Sequence, residues 1–157
     1  MTLRAAVSDD VPLILEFIRA LAAYEKLAHE VEATEDRLRA TLYPVSGRPA
    51  AECVLAYDGD VPAGFAIFFS TYSTFLSKAG LYLEDIFVHP EFRGKGIGRS
   101  LFLHLARLAN ERGCGRMEWS VLDWNAPAIG FYESLGARRM DAWTTCRLSG
   151  EALAKYA

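Results

Sequence analysis

The chain has 157 residues, a length that fits one domain with a sizeable core, and 52% of them are apolar, which excludes a disordered protein. Its 17 Lys and Arg against 20 Asp and Glu leave a formal charge of -3, so nothing global attracts nucleic acid and an anionic ligand would have to be gripped locally. Cys53, Cys114 and Cys146 suggest neither a disulfide framework nor a paired metal motif, and His29, His89 and His104 share no ligand spacing, so reduced, buried thiols and no metal are expected.

Thr2 to Ala6 reads as a first strand, followed by Ser8-Asp9-Asp10 as the polar start of a helix with Pro12 in its first turn. Ile14, Phe17, Ile18 and Leu21 recur at helical spacing as far as Glu25. Thr34-Glu35-Asp36-Arg37 opens a second helix with Leu38 and Leu42 inward, and Pro44 to Pro49 is a loop. Glu52 to Tyr57 and Val61 to Thr74 read as strands joined by the hairpin signal Asp58-Gly59-Asp60. Phe75 to Gly80 is a loop, Leu81 to Val88 the next strand, and Gly113-Cys114-Gly115 ends the helix that follows. Arg116 to Leu122 reads as strand, Asn125-Ala126-Pro127 opens a helix closing at Gly136, Arg138 to Leu148 gives one or two final strands, and Gly150 to Ala157 is a tail. No repeat, linker or low-complexity segment divides the chain, so a single domain over 1–157 is expected. No apolar h-region stands at the N-terminus and no run is long enough to cross a bilayer, from which a cytoplasmic protein is expected.

The stretch from Leu81 to Asn110 is the most informative. An apolar strand runs into His89-Pro90-Glu91-Phe92, then Arg93-Gly94-Lys95-Gly96-Ile97-Gly98, then a helix whose stripe is Ile97, Leu101, Leu105 and Leu108. A helix start carries unpaired N–H groups and the positive end of the peptide dipole, and glycines let a phosphate reach the main chain. A nucleotide P-loop needs Ser or Thr after Gly-Lys, where Gly96 stands, and a dinucleotide fingerprint needs a different glycine spacing. A tight strand-to-helix turn without a ligand is the plainer alternative.

Arg93-x-x-Gly96-x-Gly98 after a strand resembles the pyrophosphate motif of the GNAT N-acetyltransferases. Leu21-Ala22-Ala23-Tyr24-Glu25, Phe68 to Phe75, Tyr82-Leu83-Glu84-Asp85, Val121-Leu122-Asp123-Trp124-Asn125, Phe131-Tyr132 and Gly136-Ala137 are similar to the branch that acetylates spermidine, spermine and thialysine. The resemblance implies the α/β (α+β) GNAT fold: a central mixed, mostly antiparallel sheet with splayed central strands, flanked by helices, and a bulge within Leu81 to Val88. It implies acetyl-CoA as cosubstrate, a homodimer built on C-terminal strands such as Trp143 to Leu148, and a small amine as partner.

Acetylating an amine at neutral pH requires loss of a proton from an ammonium of pKa about 10.4, a donor for the developing oxyanion and a proton for the departing thiolate. Of the adjacent strand residues Glu84 and Asp85, alternation lets only one face a given cleft. The resemblance assigns Glu84 to the ammonium and Tyr132 to the thiolate; the alternatives are a carboxylate paired with an arginine and a core tyrosine. It puts Arg93, Gly94, Lys95, Gly96, Ile97, Gly98 and Arg99 on the pyrophosphate, and Ile86, Phe87 and Val88 beside the pantetheine arm. Asn125 resembles a cofactor contact but could instead cap the helix at Ala126. Tyr24, Glu25, Tyr72 and Trp143 match the amine channel. Ser73 and Phe75 replace the acidic and tryptophan residues of polyamine enzymes, which favours a shorter amine. Protein lysines or N-termini as acceptors, and a non-catalytic acyl-CoA-binding module, are the competing readings.

Overall fold

Asp58 pairs with Val61 across Gly59 and Asp60, and Gly59 takes the positive φ of 62° that a two-residue hairpin turn demands. That turn sets the register of β2 (Glu52–Asp58) on β3 (Val61–Ser73). The computed structural model describes residues 1–157, which divide into two units, 1–120 and 121–157. The first contains a sheet in sequence order, with β1 (Thr2–Ala5), β2, β3 and β4 (Lys78–Val88) antiparallel and β5 (Met117–Trp119) parallel to β4.

One face of the sheet is covered by α1 (Val11–Tyr24) and α2 (Glu35–Leu42). Ile14, Phe17 and Leu21 meet Leu55, Phe65, Ile67 and Phe87 in one apolar cluster, with the Phe17 and Phe65 rings stacked at 5.3 Å. Thr34 caps α2 as its sequence predicts, its hydroxyl accepting from the Arg37 N–H at 3.2 Å. The Asp10 carboxylate does not cap α1: it accepts from the Val7 N–H and takes both guanidinium arms of Arg4 at 2.7 Å. On the opposite face lies α3 (Ile97–Glu111), where Phe102 meets Trp119 edge-on at 5.0 Å and Arg112 sits over Phe68.

In the second unit Asn125 precedes α4 (Ala126–Ser134), and α5 (Gly150–Ala154) stands where a plain tail is expected. Residues 138–148 form no strand, which corrects the predicted final strands. The expectation of buried thiols holds for Cys53 alone: Cys114 is half-buried and Cys146 exposed, and all three are free.

Candidate active site

The sheet comes apart at one point. β5 pairs with β4 over Leu81, Leu83 and the residue between them only, so beyond Leu83 no strand lies along that edge of β4. At the same point β4 bulges. Ile67 is opposite Asp85 while Phe68 is opposite Leu83, which leaves Glu84 as the extra residue.

The bulge reverses the side-chain alternation. Leu83 lies opposite Phe68, on the face packed by α3; Asp85 and Phe87 lie opposite Ile67 and Phe65, in the cluster under α1. Counted without the bulge, all three odd-numbered residues would share one face. Asp85 is thereby delivered, half-buried, to the end of α1, while Glu84 stays exposed on the bulge. Burial, then the charges of Glu84 and Glu25, push the Asp85 carboxyl up to about 6. Burial also raises Glu25, the residue capping α1. Three carboxylates therefore share one neighbourhood, and Asp85 is the member that strand alternation alone misses.

Main-chain direction switches with the bulge as well. The Leu81 N–H donates to Arg116 on the β5 side, but past the bulge the His89 N–H donates back to Ala63 of β3, so the alternating ladder turns the N–H and C=O groups of Ile86 and Val88 toward the open edge. The predicted role of Ile86, Phe87 and Val88 thus separates: the Phe87 side chain is core, and Ile86 and Val88 offer main-chain groups.

That edge leads into the glycine turn. Gly94 and Gly96 have φ of 76° and 79°, and a Cβ at either would meet nothing within 4 Å. Packing does not explain them; the left-handed backbone does, and it leaves the main chain bare. Gly96 is the N-cap of α3, no side chain caps the helix, and its first turn, with Ile97, Gly98 and Arg99, holds no acidic residue. An anion is what such a helix start accepts. Two of the basic residues here, Lys95 and Arg93, are already engaged. Lys95 reaches Asp58 at 2.7 Å over the ring of Phe92, and the Arg93 Nε donates to the Val88 carbonyl at 3.0 Å, with its guanidinium 4.5 Å above the Tyr24 ring and 5.7 Å from that of Phe87.

The first unit thus brings together Tyr24, Glu25, Glu84, Ile86, Phe87, Val88, and Arg93 through Arg99. It does not bring Tyr72 there. Tyr72 is four residues along β3 from Phe68, roughly 13 Å at strand spacing, and is exposed. In the second unit, Asn125 uses its side-chain oxygen to cap α4 through the Ala128 N–H at 3.3 Å, so of its two roles the structure shows the cap. Tyr132 lies on α4, its ring 5.3 Å from that of Phe131, and Trp143 is 77% exposed in the irregular stretch.

A bulged central strand, a splayed edge and a bare glycine turn on a helix are accompanied by a family match: residues 16–137 fit the acetyltransferase (GNAT) family model. The chain belongs to the GNAT family. It is 35% identical to the thialysine N-epsilon-acetyltransferase of Sus scrofa, over 99% of this chain and 96% of that one, and 34% identical to L-ornithine N5-acetyltransferase NATA1 of Arabidopsis thaliana, over 96% and 85%. Among solved structures, an integron cassette protein from the mobile metagenome of V. cholerae superposes with a TM-score of 0.80 at 27% identity, covering 99% of this chain and 96% of that one. This GNAT chain is an N-acetyltransferase, and no helix in it is long and apolar enough to cross a membrane.

Proposed function

We propose that the protein transfers acetyl from acetyl-CoA to the primary amine of a small cationic molecule, an amino acid of the lysine or ornithine kind or a short diamine. The observation that carries the reading is the continuous path along β4, from a carboxylate cluster at the bulge, past main-chain groups that no strand pairs, to a glycine turn at a helix N-terminus.

The residues fit the cofactor: the bare amides from Gly94 to Arg99 suit its diphosphate, and the Ile86 and Val88 edge suits an extended amide-bearing arm laid beside it as a further strand. Bound acetyl-CoA supplies an activated acetyl thioester. Glu84 and Glu25 draw in the ammonium, and Glu84 and Asp85 relieve it of its proton, Asp85 with the higher affinity because its own charge is penalised where it sits. An Ile86 N–H polarises the acetyl carbonyl. Tyr132 holds a phenolic proton for the thiolate. Its assignment is supported by the family pattern Phe131-Tyr132 on the helix after Asn125, and the family match across residues 16–137 supports one functional domain spanning both units.

Named relatives that act on thialysine and ornithine support a short amine, as do Ser73 and Phe75 in place of the residues expected of polyamine enzymes. Thiol release from acetyl-CoA tests the proposal with lysine analogues, ornithine, diamines and spermine. Short amines are expected to release thiol faster than spermine, and no release with any amine overturns the function. Tyr132→Phe is expected to lower kcat by about 10²-fold or more, leaving coenzyme A affinity within about twofold; equal rates remove the acid assignment.

A further inference from the structure

Arg93 opens the glycine motif, and its position invites a role as a phosphate ligand. Its contacts point elsewhere. The guanidinium has turned back from the turn onto the α1 face, where its Nε–H holds the last carbonyl of β4 while its plane covers Tyr24 and approaches Phe87. Tyr24 is the last residue of α1, and Glu25, which follows it, is among the charges felt by Asp85. Main-chain bonds of Glu25, Lys26 and Leu27 also tie this helix end back into α1.

We propose that Arg93 is a positioning residue: by holding the Val88 carbonyl and the Tyr24 ring at once, it fixes the end of α1 so that Glu25 stands across from Asp85, and it serves the amine pocket rather than the phosphates. The inference rests on the function proposed above. It uses the features that set a guanidinium apart from an ammonium, namely a planar face that stacks and an N–H fixed in that plane. Charge alone, which lysine would preserve, is not what the geometry requires. The turn's own grip on an anion lies in its main chain, which Arg93 leaves uncovered.

The test is steady-state kinetics of Arg93→Ala, Arg93→Lys, Tyr24→Ala, Tyr24→Phe and the Arg93→Ala/Tyr24→Ala double variant, with coenzyme A binding measured by calorimetry on each. Both Arg93 variants and Tyr24→Ala are expected to raise the amine KM about three- to fivefold, the size of one exposed cation–π contact. The coenzyme A Kd should stay within about twofold, Tyr24→Phe, which keeps the ring under the guanidinium, should raise the amine KM less than Tyr24→Ala, and the double variant should be no worse than either single one. A coenzyme A Kd weakened by Arg93→Ala and restored by Arg93→Lys would make Arg93 a phosphate ligand and overturn the proposal, as would additive effects in the double variant. If the wild-type protein releases no thiol with any amine, it is the function that falls. The Arg93 assignment is then decided by the calorimetry and by the same double-variant cycle read in urea unfolding, where additivity again overturns it.

Discussion

Asp85 carries the sharpest consequence for a single side chain. Its carboxyl, ordinarily at 3.8, stands at about 6 in the folded protein, so between those values the native state binds more protons than the unfolded one. Stability therefore falls as pH rises through that window and stays reduced above it. Asp85→Asn is expected to abolish that slope and to stabilise the protein at pH 7 to 8 by up to about 3 kcal/mol, measured by urea unfolding across pH. The same variant should lose the rise in kcat/KM through about pH 6 that an ionised Asp85 confers. Glu84→Gln removes one of the like charges that raise Asp85, so the rise should move to lower pH while the amine KM increases; an unmoved profile would separate the two carboxylates. The importance of a carboxylate in this strand is legible in the sequence, because Glu84-Asp85 interrupts an otherwise apolar run. Which of the two is buried is not legible, since alternation has no place for an extra residue.

At the scale of elements, local chemistry is well written into the chain. Thr34 caps α2, Asp58-Gly59 makes the hairpin, and the glycines place a bare turn ahead of α3, each through a preference acting within a few residues. The bulge in β4 enters through family likeness and not through any residue signal. The strand text after Arg138 misleads: Trp143, Cys146 and Leu148 are interspersed with polar residues, but strand propensity reports a fit to a pleated surface that another strand must supply. The sheet ends at the three residues of β5, and residues 138–148 form no strand. Gly96→Ala tests the turn. An alanine at φ 79° is strained by about 1–2 kcal/mol, so calorimetry should show weaker coenzyme A binding and unfolding a loss of that size.

For the molecule as a whole, stability rests on the cluster between α1 and the sheet. Phe17 is fully buried, stacked on Phe65 and edge-on to Phe87 at 6.5 Å, so it joins the first helix to the two central strands. Phe17→Ala is expected to cost about 3–5 kcal/mol, a large part of the 5–15 kcal/mol typical of a domain, and to lower the urea midpoint accordingly. Because Phe87 lies two residues from Asp85 on the same face, the variant should also depress amine turnover more than its folded fraction predicts.

The short reach of β5 has one more consequence, which concerns solvent. The main-chain amides of Ile86 and Val88 face the side of β4 that no strand covers, whereas Phe87 between them bonds inward to β3. Placed in heavy water, the strand should take up deuterium in alternation, fast at 86 and 88 and slow at 87. Coenzyme A should even out that pattern, leaving an isotopic footprint of the arm along the backbone.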